Sequence, residues 1–200
     1  MLILGLTGNI GCGKSSLSNI LEEYNLDIID ADIISRQIFE DKELLNLVFD
    51  TFGDSIKNED GSLNRKSLGN IVFNDEEKLV LLNSLTHPKI KEKIVKRIKE
   101  IEHLGNSISI IDAALLVEGG YLEIVNKLIV VVCEENTQIS RIQTRDKCTR
   151  EEAMSRIKSQ MSQDEKSKYA DYIIDNSGTI DELKIEANKL ILYIKENWCG

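Results

Sequence analysis

The sequence has a single proline, two histidines and few aromatic residues, 5% of the chain. With one proline, little interrupts helical patterning, and no proline-rich, repetitive or low-complexity tract marks a linker. The four cysteines, Cys12, Cys133, Cys148 and Cys199, stand far apart. The absence of a C-x-x-C pair or zinc spacing excludes a disulfide scaffold and a structural zinc site, and predicts reduced thiols in a cytoplasmic protein. No apolar run approaches the length of a membrane span. The opening MLILGLTG is too short and too uncharged for a secretory signal. Basic residues are also in deficit, 25 against 34 acidic ones, for a formal net charge of -9. A protein that holds nucleic acid needs a basic field, so neither nucleic acid nor a membrane is an expected partner.

Short apolar runs are present in their place. LILGL (Leu2–Leu6) reads as a strand buried on both faces and ends next to a glycine-rich stretch. Four similar runs follow: LDIID (Leu26–Asp30), SISIID (Ser107–Asp112), KLIVVVC (Lys127–Cys133) and DYIID (Asp171–Asp175). Helical patterns separate them. Leu17, Ile20, Leu21 and Tyr24 form one stripe, and Leu183, Ala187, Leu190, Ile191, Ile194 and Trp198 form a closing one. Alternation of this kind predicts an α/β fold, a five-stranded parallel sheet with helices on both faces. Within one domain of 200 residues the core is expected over about 1–32, 107–135 and 169–200. Residues 33–106 read as an inserted helical lobe. Residues 136–168 are either a mobile cover or surface helices, with TREE (Thr149–Glu152) as a capping box.

The stretch GNIGCGKS, between the first strand and first helix, fits G-x-x-x-x-G-K-[ST] with Gly8, Gly13, Lys14 and Ser15. Glycines let the backbone approach an anion closely. The inward N–H groups form a nest, and the dipole of the helix adds positive potential. Gly8, Asn9, Ile10, Gly11, Cys12, Gly13, Lys14, Ser15 and Ser16 are therefore the expected nucleotide-phosphate site. Lys14 should reach the β- and γ-phosphates, and Ser15 should supply a hydroxyl to Mg²⁺. Such a thiol as Cys12, set among N–H groups beside Lys14, is expected to be acidified and oxidisable.

IIDADIISRQ (Ile28–Gln37) places Asp30 and Asp32 at the end of the second strand, the edge where open α/β sheets bind ligands. Phosphoryl transfer needs a carboxylate to orient a hydroxyl and accept its proton, or to hold metal-bound water. Asp32 suits the first task and Asp30 either. Arg36, four residues after Asp32, suits a substrate phosphate. A helix cap with a surface ion pair is the competing account of the same residues. Asp112 ends the third strand as a metal-site acid or a turn acid. His87, before Pro88, caps a helix starting there or meets substrate. Arg141 and Arg145 share a helix face from which arginines can neutralise phosphate charge.

The ordered set GLTGNIGCGKS, DADIISRQIFE, DGSLNRKSLGNIVF, LNSLTHPKI, ALLVE, RDKCTREEAMSRIKSQ and ADYIIDNSG resembles the dephospho-coenzyme A kinase family over nearly the whole chain. The resemblance implies a three-layer P-loop NTPase fold with a helical coenzyme A lobe and a helical lid. It implies transfer of phosphate from ATP, with Mg²⁺, to the ribose 3′-hydroxyl of dephospho-coenzyme A. By position it makes Asp32 the base, with Lys14 and Arg141 also catalytic. Arg36 and His87 become substrate contacts, and Arg141 and Arg145 lid arginines. A monomer or weak homo-oligomer is expected. Asn9, Cys12 and Ala114 depart from the usual glycine, serine and proline. A nucleoside monophosphate kinase would share the loop, acids and lid. A nucleotide-driven switch of the guanine-binding kind would carry N-K-x-D, which is absent.

Overall fold

The computed structural model describes residues 1–199. Each apolar run forms a strand: β1 (Leu2–Gly8), β2 (Asp27–Asp30), β3 (Ile108–Asp112), β4 (Lys127–Val132) and β5 (Tyr172–Asp175). Around them run α1 (Lys14–Glu23), α2 (Ala31–Gln37), α3 (Lys42–Phe52), α4 (Arg65–Val72), α5 (Glu76–His103), α6 (Glu135–Asp146), α7 (Arg150–Lys158), α8 (Gln163–Ser167) and α9 (Ile180–Asn197). The strands form one sheet in the order β2-β3-β1-β4-β5, with every pair parallel. The chain divides into two compact units. One comprises Met1–Asp30 and the chain from Ile98 onward, and the other Ala31–Arg97.

The first unit holds the sheet. Leu4 and Leu6 of β1 point to one face with Ile110, Ile129, Val131 and Ile174, where Leu17 and Leu21 of α1 and Leu183, Ala187, Leu190 and Ile194 of α9 cover them. Full burial of such side chains contributes about 1.5–3 kcal/mol each. Tyr24, the last residue of the predicted first stripe, is the exception: it is exposed, because the helix ends there. Helices α7, α8 and α9 each start with a reciprocal capping box: Thr149 with Glu152, Ser162 with Glu165, and Thr179 with Glu182. A smaller core of Ile139, Ile142 and Ala153 joins α6 to α7, and Ile10 packs against it. Helices α6–α8 thus lie in the same unit as the sheet.

The second unit is helical. Asp41 caps α3 and Asn64 caps α4 through side-chain acceptors. Here one expectation fails. Pro88 does not start a helix but lies inside α5, a 28-residue helix running from Glu76 to His103. Proline removes one backbone donor and crowds the preceding turn. Ile90 and Ile94, in the turns that follow Pro88, are buried, and from Ile98 the helix belongs to the first unit. Among the described residues no helix is long and apolar enough to cross a membrane.

Candidate active site

Because all five strands are parallel, their C-terminal ends lie on one edge of the sheet, and the chain's polar signals collect there. Gly8 leaves β1, Asp30 ends β2, Asp112 ends β3 and Asp175 ends β5. In the β2–β3 register Asp30 stands directly opposite Asp112. Central β1 feeds the glycine loop into α1.

Two positions show why that loop needs glycine. Gly11 and Gly13 have φ of 82° and 83°, the left-handed region that side chains disfavour. A Cβ on Gly13 would also overlap the Asn176 side-chain amide. That amide, buried, donates to the Cys12 carbonyl at 2.7 Å. Further bonds to the loop involve the segment that follows β4. Gln138 Nε2 donates to the Ile10 carbonyl at 2.6 Å, and Ile10 N donates to Gln160 Oε1 at 2.8 Å. Asn9 Nδ2 donates to the Met161 carbonyl at 2.7 Å. Gln163 Oε1 accepts from Cys12 Sγ at 3.1 Å and from Cys133 N at 2.8 Å. The loop is held in shape by side chains that approach it from outside.

Lys14, the first residue of α1, pairs through Nζ with Asp112 Oδ1. Their side chains are only 11% and 4% exposed, so water screens the pair little. Ser15 is exposed at the start of α1. The Ser15 hydroxyl and the Asp30 and Asp112 carboxylates are hard oxygen donors, the kind magnesium prefers. Among the described residues no cluster of three or more His, Cys, Asp or Glu side chains forms a self-sufficient metal cage. Mg²⁺ normally takes only one or two protein ligands and completes its shell with water and phosphate, so the donor set fits.

Arg141 lies beside the loop. Its guanidinium donates to the carbonyls of Asn176 at 2.8 Å and Gly178 at 3.1 Å, and the same Asn176 holds Cys12. Arg145, one turn further along α6, is instead held by Asp146 at 2.6 Å, which also binds Arg156. Asp146 therefore keeps the Arg145 guanidinium protonated beyond its ordinary range, and is itself held below the usual carboxylate range. In the second unit, Asp32 lies in the first turn of α2 and Arg36 in the last, both exposed. The Arg36 carbonyl accepts from Arg65 at 2.7 Å. His87, half-buried in α5, has its imidazole held below the ordinary value by desolvation.

A phosphate loop on the central strand of a parallel sheet is common to many nucleotide enzymes, so the whole sequence must decide among them. The family model described as dephospho-CoA kinase, CoaE, matches residues 2–182. The chain belongs to the dephospho-CoA kinase family. Enzymes of this family phosphorylate dephospho-CoA with ATP, the final step of coenzyme A biosynthesis. A dephospho-CoA kinase from Carboxydothermus hydrogenoformans is 43% identical over 98% of this chain and 94% of its own. The dephospho-CoA kinase structure from Campylobacter jejuni superposes with a TM-score of 0.72, at 32% identity, covering 96% of both chains. The structure of TT1252 from Thermus thermophilus gives 0.85 at 26% identity, covering 96% of this chain and 97% of that one.

In this dephospho-CoA kinase family member the expectation for Cys12 is overturned. Its thiol is not acidified. A hydrogen bond with Cys133 and burial in the sheet core push its pKa up, while the same hydrogen bond holds Cys133 down. The thiol packs into the sheet core beside Cys133, among buried apolar side chains. Sequence reading also missed Gln138, Gln160, Gln163, Asn176 and Lys166. Two of them left a signal, Gln160 and Asn176, each in a stretch already similar to the family, and Asn176 is also the polar residue next after β5.

Proposed function

We propose that this chain transfers the γ-phosphoryl group of ATP to the ribose 3′-hydroxyl of dephospho-CoA, with the following division of labour. Backbone N–H groups of the Gly8–Ser16 loop and the start of α1, other than those of Ile10, Cys12 and Ser16, which donate to Gln160 Oε1 and to the Asn9 and Gly13 carbonyls, bind the β- and γ-phosphates. Lys14 leaves Asp112 for the phosphate oxygens and balances the charge that spreads over them in a loose transition state. Ser15 and Asp112 would hold Mg²⁺, directly or through water; the ion supplies charge neutralisation when bound. The observation that carries this reading is the nearly buried Lys14–Asp112 pair at the strand edge of a chain in this family.

Asp32, two residues after the end of β2, orients the acceptor hydroxyl and takes its proton as the oxygen–phosphorus bond forms and the bond to ADP breaks. Asp30, Arg36 and His87 contact the acceptor. Residues 33–106 form the coenzyme A lobe, and residues 136–168 cover the nucleotide. Arg141 neutralises phosphate charge, and its position beside Asn176 and Gly13 supports that role. Arg145 must first leave Asp146 to assist. In this proposal the chain acts on small molecules in the cytoplasm as a monomer or weak homo-oligomer.

The test is ADP release with Mg·ATP and five separate acceptors: dephospho-CoA, AMP, CMP, adenosine and shikimate. Turnover confined to dephospho-CoA is expected. Preferential turnover with a nucleoside monophosphate would overturn the acceptor assignment, and tight nucleotide binding without acceptor-dependent turnover would overturn the kinase reading.

A further inference from the structure

Lys166 of α8 is the most anomalous charge in the molecule. Its side chain is 0% exposed. Burying an ammonium is costly unless it is well paired, and an apolar side chain of similar volume usually packs there at less cost. The obvious partner does not explain it. Glu118 lies 3.1 Å from Lys166 Nζ, but its side chain is 23% exposed and water could solvate it without help. The other partner is the backbone carbonyl of Ala114, to which Nζ donates at 2.9 Å.

That carbonyl sits at a junction. It also accepts from Thr7 Oγ1 at 3.1 Å, and Thr7 immediately precedes the glycine loop. Ala114 lies two residues after Asp112, and the residue between them, Ala113, donates to the Leu6 carbonyl at 3.0 Å. Asp112 is thus fixed by the strand ladder on one side and by the Lys166–Ala114–Thr7 junction on the other. The same short helix α8 begins with Gln163, whose amide holds Cys12 and both backbone groups of Cys133. One five-residue helix grips the phosphate loop and the turn leaving β3.

We propose that Lys166 is a positioning residue for phosphoryl transfer. Through the Ala114 carbonyl it sets where the Asp112 carboxylate stands relative to Lys14 and the bound nucleotide. This inference rests on the reading above that Asp112 serves the reaction. It gives the buried charge a purpose that packing alone would not require: a charged donor fixes a carbonyl more strongly than a neutral one.

The test is a double-mutant cycle on kcat with Lys166→Met and Asp112→Asn, at a temperature where circular dichroism shows all variants folded. Lys166→Met should lower kcat at least about tenfold in the wild-type background and less than about twofold in Asp112→Asn, with the KM for dephospho-CoA within about twofold throughout. Loss of the same factor in both backgrounds would reduce Lys166 to a structural residue and overturn the inference. Should Asp112→Asn itself keep wild-type kcat, the assignment of Asp112 would fall, which is a separable result. If Lys166→Met does not fold, Thr7→Val removes the other donor to the same carbonyl without changing shape. The same background dependence is then expected, and its absence overturns the proposal equally.

Discussion

Lys14 and Asp112 form an ion pair between the first residue of α1 and the last of β3, with both side chains nearly out of solvent. In the proposed reaction the pair holds the lysine ready where phosphate would arrive. It also makes the two residues unequal under mutation. Lys14→Met leaves a buried carboxylate without its cation and should cost about 3 kcal/mol of stability. Asp112→Asn keeps an oxygen for Lys14 and should cost closer to about 1 kcal/mol. Urea unfolding of the two variants checks this order. Both should lower kcat at least about tenfold, since each loses charge placed for the transition state.

Asp32→Asn should lower kcat by a factor of about a hundred or more, the usual range for a general base, with little change in either KM. Arg36→Ala should act differently, raising the KM for dephospho-CoA with a smaller effect on kcat, because a binding contact is used in ground and transition states alike. Steady-state ADP release separates the two. A near-wild-type rate for Asp32→Asn would remove it from the chemistry.

The thiols should react in order of exposure. Cys199 is exposed, Cys148 is half-buried, and Cys12 and Cys133 are buried. Iodoacetamide at neutral pH, followed by peptide mass spectrometry, should label Cys199 first and leave Cys12 unmodified while the chain is folded. ATP turnover should survive this labelling. Rapid labelling at Cys12 would contradict its raised pKa.

Desolvation holds the His87 imidazole below its ordinary 6.5, so the folded chain binds that proton less readily than the unfolded chain. Its contribution to stability is therefore complete above pH 6.5 and is lost as the pH falls toward the lower folded value. Between about pH 7.5 and about pH 5 the urea midpoint of the wild type should fall further than that of His87→Gln. Equal falls would show that His87 does not titrate in this way.

The strands were the most legible part of the sequence, because strands buried on both faces must be apolar throughout, and LILGL or KLIVVV has few other uses. The phosphate loop was legible for a similar reason: its glycines answer a backbone constraint that other residues cannot meet. Pro88 misled because a proline at a helix start and a proline inside a well-packed helix look alike without the partner surface. Cys12 misled because the motif places a residue in the loop but does not say which side of the backbone its side chain takes. The braces were illegible for a third reason. Gln160, Gln163 and Asn176 act on residues about 150 positions away, and only the strand order brings them there. Asp112 could be marked as a candidate acid, but its pairing with Lys14 depends on β3 lying next to β1.

The central position of β1 also governs how the molecule comes into being. Leu2 pairs with Ile108, and Leu4 with Lys127, so β1 has no neighbour until about a hundred further residues have been made. The loop it carries waits longer still, since Gln160, Gln163 and Asn176 follow it by 150, 151 and 164 residues. Folding that waits on such distant pairings is slow. Nucleotide affinity should therefore appear late and abruptly during synthesis, and nascent chains cut before residue 176 should lack it.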